Sequence, residues 1–163
     1  MSGLISYQML SGRSGHIGSL PYFYAKGCGS GVNSSRSDYE LESWTYSDQG
    51  GGASFNATTG RFYAKVPGQY FFTAQFMKTN RGPVVRGYIR RNNESPSSIN
   101  ASIQARMHGE DADVGDGSNY TMTSVQTTFW LNQDDYVSCW TSTGYLSAEH
   151  EYCTFTGQFL ARY

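Results

Sequence analysis

Residues 55–72, Phe-Asn-Ala-Thr-Thr-Gly-Arg-Phe-Tyr-Ala-Lys-Val-Pro-Gly-Gln-Tyr-Phe-Phe, constrain this chain more than any other stretch. They read as a turn, a strand, a second turn and a second strand. Asn56 and Gly60 flank the first turn. Pro67-Gly68 makes the second, because proline fixes φ at one position and glycine accepts positive φ at the next. Apolar residues then fall two apart: Phe62, Ala64 and Val66, followed by Tyr70, Phe72, Ala74 and Phe76. That period sends alternate side chains to one side of a strand, so each strand turns one face into a core. Further strands are predicted over 20–25, 39–46, 84–90, 99–107, 120–131, 136–140 and 152–160, with polar, glycine-rich connections and no helical period. About ten short strands at this spacing predict an all-β antiparallel jelly-roll sandwich.

A chain of 163 residues is long enough for one domain with a sizeable core. Residues 20–163 read as the globular domain and residues 1–19 as a flexible N-terminal arm. The net charge is −1, and Arg81, Arg86, Arg90 and Arg91 are spread along a strand pair rather than clustered. Nucleic-acid binding needs clustered positive charge, so no nucleic-acid partner is expected. No run of about 18 apolar residues exists, so no membrane span is expected. The start, Met1–Leu10, lacks a basic n-region and a long enough apolar stretch for a signal peptide, so a secreted reading has the signal removed from this chain. The histidines His16, His108 and His150 are scattered, and no P-loop, dinucleotide fingerprint or nucleophile elbow is present. The chain is read as a non-enzyme that requires no cofactor.

The candidate sites lie in loops and on aromatic residues. Trp44, Tyr46, Trp130, Trp140 and Tyr145 are candidates for stacking on sugar rings, with Tyr120, His108, Glu149 and His150 as polar and aromatic neighbours of the same kind. Tyrosine offers a flat apolar face with a polar tip at little entropic cost, and 13 tyrosines suit sugar or protein recognition. Trp130 and Trp140 point opposite to the core phase of their strands, toward an outer face or a subunit interface. The loop from His108 to Gly117 carries Glu110, Asp111, Asp113 and Asp116; the three aspartates are candidate calcium ligands, without the spacing of an EF-hand. Glu149-His150-Glu151 is a candidate pH-sensitive tip. Cys139 and Cys153 both point inward and flank what reads as the final hairpin, so they form either a cross-strand disulfide or two buried thiols. Cys28 lies between glycines in an expected exposed loop, where an odd cysteine suits an interchain bond. Five sequons, at Asn33, Asn56, Asn93, Asn100 and Asn119, are candidate glycosylation sites.

Three blocks carry a resemblance. Thr59-Gly60, Phe62, Pro67-Gly68, Tyr70 and Phe72 form the first. Residues 129–137, Phe-Trp-Leu-Asn-Gln-Asp-Asp-Tyr-Val, form the second, and residues 154–160, Thr-Phe-Thr-Gly-Gln-Phe-Leu, the third. In this order they resemble the globular head domain of the complement C1q family, a trimeric jelly roll related in shape to tumour necrosis factor. Two departures stand out: Asp134 replaces a usual glycine, and Gln158 is an extra residue after Gly157. No collagen-like Gly-X-Y stalk precedes the blocks. The resemblance implies a homotrimer, a secreted and stalkless soluble protein, and metal sites built from loop acids before the long strand. It implies a lectin-like pattern-recognition protein for microbial or host glycans, acetamido or sialylated sugars among them. The alternatives are a cytokine-like or synapse-organising ligand of a protein receptor, and a structural matrix component.

Overall fold

A computed structural model describes residues 20–28, 39–77, 84–93, 103–110, 122–143 and 152–162, with backbone alone at 84–86, 103–110 and 142–143. Every regular element among them is a strand: β1 (Tyr22–Lys26), β2 (Tyr39–Glu40), β3 (Tyr46–Gly50), β4 (Ser54–Asn56), β5 (Arg61–Tyr63), β6 (Gly68–Met77), β7 (Val84–Arg91), β8 (Ile103–Glu110), β9 (Met122–Leu131), β10 (Tyr136–Thr143) and β11 (Thr154–Ala161). Ten of them form two antiparallel sheets in the orders β3-β1-β11-β6-β9 and β4-β5-β10-β7-β8, and the two-residue β2 pairs with β10. We refer to these as the β11 sheet and the β10 sheet. The jelly roll is the fold that the sequence predicts.

The predicted periodicity fills the space between the sheets. Phe62, Ala64, Tyr70, Phe72, Ala74 and Phe76 are buried, and so are Val125, Phe129 and Leu131 on β9. Phe23 is the hub. Its ring stacks on Phe55 at 4.6 Å and on Phe62 at 5.0 Å, and meets Phe155 edge-on at 4.9 Å. Stacked and edge-to-face pairs of this kind add about 0.5–1.5 kcal/mol each beyond the area they bury. Gly157 makes room for this cluster, because a Cβ there would strike the Phe23 ring.

The opening block divides between the sheets. The Asn56 side chain accepts hydrogen bonds from the amides of Thr58 and Thr59 at 3.0 and 3.2 Å, an Asx turn that leads into Gly60 at φ +69°. A Cβ on Gly60 would collide with the Leu41 carbonyl, so the turn needs glycine on two grounds. Pro67-Gly68 then carries the chain from β5 in the β10 sheet to β6 in the β11 sheet. The Tyr70 hydroxyl pins this crossing by donating to the Val66 carbonyl at 2.6 Å. Asp134, where the resemblance expects glycine, holds φ +66°. Asp is among the few non-glycine residues that tolerate this region, and here it also pairs with Lys65 at 2.9 Å. The register of β11 on β6 shifts between Phe159 and Ala161, just after the extra residue Gln158.

Of the two alternatives for Cys139 and Cys153 the structure has buried thiols, and the final hairpin and the exposed Cys28 are corrected. No disulfide joins Cys139 to Cys153. The reason is topological: β10 and β11 are consecutive in sequence but lie in opposite sheets, so they make no hairpin. Cys139 pairs across to Ile89, whereas Cys153 lies beside the end of β1, where the Gly27 amide donates to its carbonyl at 2.9 Å. Cys28 is buried rather than exposed, which removes the support for an interchain bond.

Candidate functional site

The two sheets turn very different faces outward. On the β11 sheet, residues that alternate with the core are exposed: Tyr22, Tyr24 and Tyr46 on β1 and β3, Trp130 on β9 and Leu160 on β11. Tyr24 meets Tyr46 edge-on at 6.3 Å, and the Lys26 ammonium lies 5.4 Å from the Tyr46 ring. A shallow depression of about 280 Å³ opens on this sheet over Gly157, lined by Tyr22, Phe71, Thr73, Thr156 and Gln158. Exposed aromatic residues gathered on one sheet face suit association with another surface.

On the β10 sheet the outward residues engage one another. Arg61 on β5 grips Glu40 on β2 through Nε and Nη2 at 2.8 and 2.7 Å, and its guanidinium lies 4.5 Å from the Tyr136 ring. The bidentate geometry and the carboxylate hold the Arg61 guanidinium protonated even more firmly than usual. Tyr63 packs against Tyr136 at 5.8 Å, and the Lys65 ammonium sits 5.8 Å from the Tyr63 ring. Burial pushes the Tyr136 phenol above its ordinary pKa, and the nearby Arg61 charge opposes that shift. Further along, Trp140 donates to the Ser138 hydroxyl at 2.9 Å. Arg90, 0% exposed, lies 4.4 Å from the Trp140 ring and 5.1 Å from the Tyr88 ring. The row combines aromatic faces, hydrogen-bonding groups and fixed charges, which is the chemistry of polar ligand recognition.

The structure separates the predicted site residues rather than gathering them. Tyr46 is 49% exposed at the edge of the β11 sheet. Trp44 is 4% exposed and therefore cannot stack on a ligand; its indole donates to the Leu41 carbonyl at 3.2 Å and packs near Phe55 and Phe155. Trp140 does point away from Cys139, yet it is buried within its own chain by the row just described. Trp130 is 39% exposed on the other sheet, so the two tryptophans share no surface. His108 belongs to strand β8, opposite Arg86, and not to a loop; Glu110 ends the same strand. Asn56 and Asn93 are exposed. Tyr120, Tyr145, Glu149, His150, the candidate calcium ligands Asp111, Asp113 and Asp116, the sequons at Asn33, Asn100 and Asn119, and residues 1–19 lie outside the described residues. Sequence reasoning missed Glu40, Arg61, Tyr63 and Tyr136. Their signal was present: Arg61, Tyr63 and Lys65 alternate with Phe62 and Ala64, as Tyr136 and Ser138 do with Val137.

Two antiparallel sheets in this strand order, without a helix among the described residues, define the jelly-roll class shared by C1q globular heads and tumour necrosis factor-like proteins. Solved structures agree. The globular domain of zebrafish complement 1qA superposes with a TM-score of 0.60 at 17% identity, covering 88% of this chain and 99% of that one. The Eiger TNF of S. frugiperda gives a TM-score of 0.63 at 11% identity, covering 88% and 94%, and murine APRIL gives 0.62 at 12%, covering 87% and 100%. No curated protein sequence matches the chain. The C1q domain profile matches residues 49–160, more than half of the chain, and the chain belongs to the C1q domain family.

Proposed function

We propose that the chain is a secreted, homotrimeric recognition protein that binds glycans. The observation that carries this reading is the exposed aromatic face of the β11 sheet, formed by Tyr22, Tyr24, Tyr46 and Trp130. Three copies packed head-to-tail about a threefold axis would cover that face and close on themselves. The β10 face and the loops would then point outward in triplicate. Single sugar contacts are weak, and three tethered copies raise avidity without any new contact. On the β10 face Tyr63 and Tyr136 supply partly exposed rings for stacking, and Arg61 and Glu40 supply polar groups beside them. Asp111, Asp113 and Asp116 remain the candidate calcium ligands, and the role is binding rather than catalysis.

The test has two parts. Light scattering should give three times the protomer mass. A glycan array, run with calcium and again with chelator, should then show selective binding to one sugar class, and loss in chelator would assign the aspartates. Silence under both conditions from a folded trimer would sink the glycan reading. A second reading, a ligand of a protein receptor, is favoured by the continuity of the β10 row, which suits a broad protein surface better than a single sugar. The matrix reading loses ground, because it leaned on an exposed Cys28.

A further inference from the structure

Three cysteines from three distant parts of the sequence converge at one end of the sandwich, and all three are buried. Two of them are neighbours: Cys28 and Cys153 lie within hydrogen-bonding reach of each other, and the backbone at Met77 and Cys28 borders the Cys153 sulfur. The backbone holds the pair in place. The antiparallel register of β1 on β11 ends at Lys26 opposite Thr154, and the next bond runs from the Gly27 amide to the Cys153 carbonyl at 2.9 Å. Cys28 therefore leaves β1 just where Cys153 enters β11. Cys139 lies close enough to be felt electrostatically by both thiols, but it is anchored in the opposite sheet across from Ile89.

We infer that Cys28 and Cys153 are the chain's disulfide pair, closing one bond under oxidising conditions and leaving Cys139 as a thiol. The chemistry balances with a small-molecule disulfide such as oxidised glutathione as oxidant. The Cys153 thiolate attacks one glutathione sulfur and expels a first glutathione thiolate. The Cys28 thiolate then attacks the Cys153 sulfur of the mixed disulfide and expels a second. Two protein thiol protons are lost, one S–S bond forms, and one glutathione disulfide is reduced to two thiols. In the closed fold the two thiols differ. Hydrogen bonds into its sulfur hold Cys153 below the ordinary thiol pKa, while the hydrogen bond it gives to Cys153, with burial adding to it, raises Cys28 well above. Burial excludes glutathione from the closed fold, so the reaction belongs to folding or to local opening at the ends of β1 and β11. The bond would tie the first described strand to the last, a long loop of the kind that gains most from cross-linking in the chain-entropy account.

The experiment is refolding of the full chain in a glutathione redox buffer, followed by unfolding in denaturant, alkylation with iodoacetamide and peptide mapping by mass spectrometry. The expected product is monomer-linked, carries one alkyl group instead of three, and yields a single Cys28–Cys153 cross-linked peptide. Its Tm should exceed that of the reduced chain by on the order of 10 °C. C139S should close the same bond, and C28S should leave both remaining thiols open to alkylation. Three alkyl groups on the oxidised chain, a Cys139–Cys153 peptide, or a Cys28 link between chains would each overturn the assignment. If C28S fails to fold, the map of the unsubstituted chain and of C139S decides.

Discussion

The outward faces of the two sheets carry similar residues and use them in opposite ways. The β11 face holds Tyr22, Tyr24, Tyr46 and Trp130, and leaves them exposed. The β10 face holds Tyr63, Tyr88, Tyr136 and Trp140, and engages each with a neighbouring ring or cation. Aromatic content alone therefore does not mark a binding surface. What separates the faces is how far the rings are covered: Arg61, Arg90 and Glu40 pack along the β10 row, whereas the Tyr24–Tyr46 and Lys26–Tyr46 contacts still leave both tyrosines exposed. The β11 face exposes more aromatic surface and is the one expected to gain by contact with another surface.

The difference can be probed one side chain at a time. Trp140→Ala empties a buried site on the β10 face. It should cost the protomer about 3–5 kcal/mol, read as a lowered urea midpoint, with the assembly mass unchanged while the chain is folded. Two charges on the open face, Tyr22→Lys with Trp130→Glu, should do the reverse. Light scattering should report monomers, while the far-ultraviolet spectrum stays that of the folded chain; an unchanged mass would show that copies do not meet through this face. Glu40→Ala strands the Arg61 guanidinium, and after allowance for its partial exposure the loss should be about 1 kcal/mol of protomer stability. The smallest effect concerns pH. Burial raises the Tyr136 phenol in the folded state, so its contribution is complete below the ordinary phenol pKa of about 10 and is lost as pH climbs beyond it. Tyr136→Phe should flatten the fall of the urea midpoint above that pH. Tyr70, raised by burial in the core, keeps some slope in the variant.

The side-chain phases of this fold were legible in the sequence, and the strand partners were not. A period of two says that a residue faces inward; it does not say which sheet holds the strand. This is why Phe62, Phe72, Cys139 and Cys153 were read correctly as inward-facing while the two cysteines were assigned to a hairpin that does not exist. Trp44 shows a second limit. Alternation from Leu41 would send it outward, as part of one strand over 39–46. Instead the strand breaks after Glu40, and Ser43 takes φ +57°, which flips the following residue inward against Phe55. A single left-handed residue redirects the side chain that follows it, and Ser announces that conformation far less clearly than Gly or Asn. The β10 row was hidden for another reason: its charges and rings come from β2, β5, β7 and β10, and only the fold brings them together.

The place of β11 has a consequence for synthesis. It is the last of the described strands in sequence, yet it fills the middle of its sheet, between β1 and β6. Until the ribosome has released Thr154–Ala161, two strand edges made long before stand facing an empty slot of one strand's width. A nascent chain in that state offers any extended segment nearby a template to complete, its own or another's. The sheet can close only after Thr154–Ala161 has been translated, so the interval before that strand emerges is the period in which a chaperone, or a misplaced strand from a neighbouring polysome, would find its target.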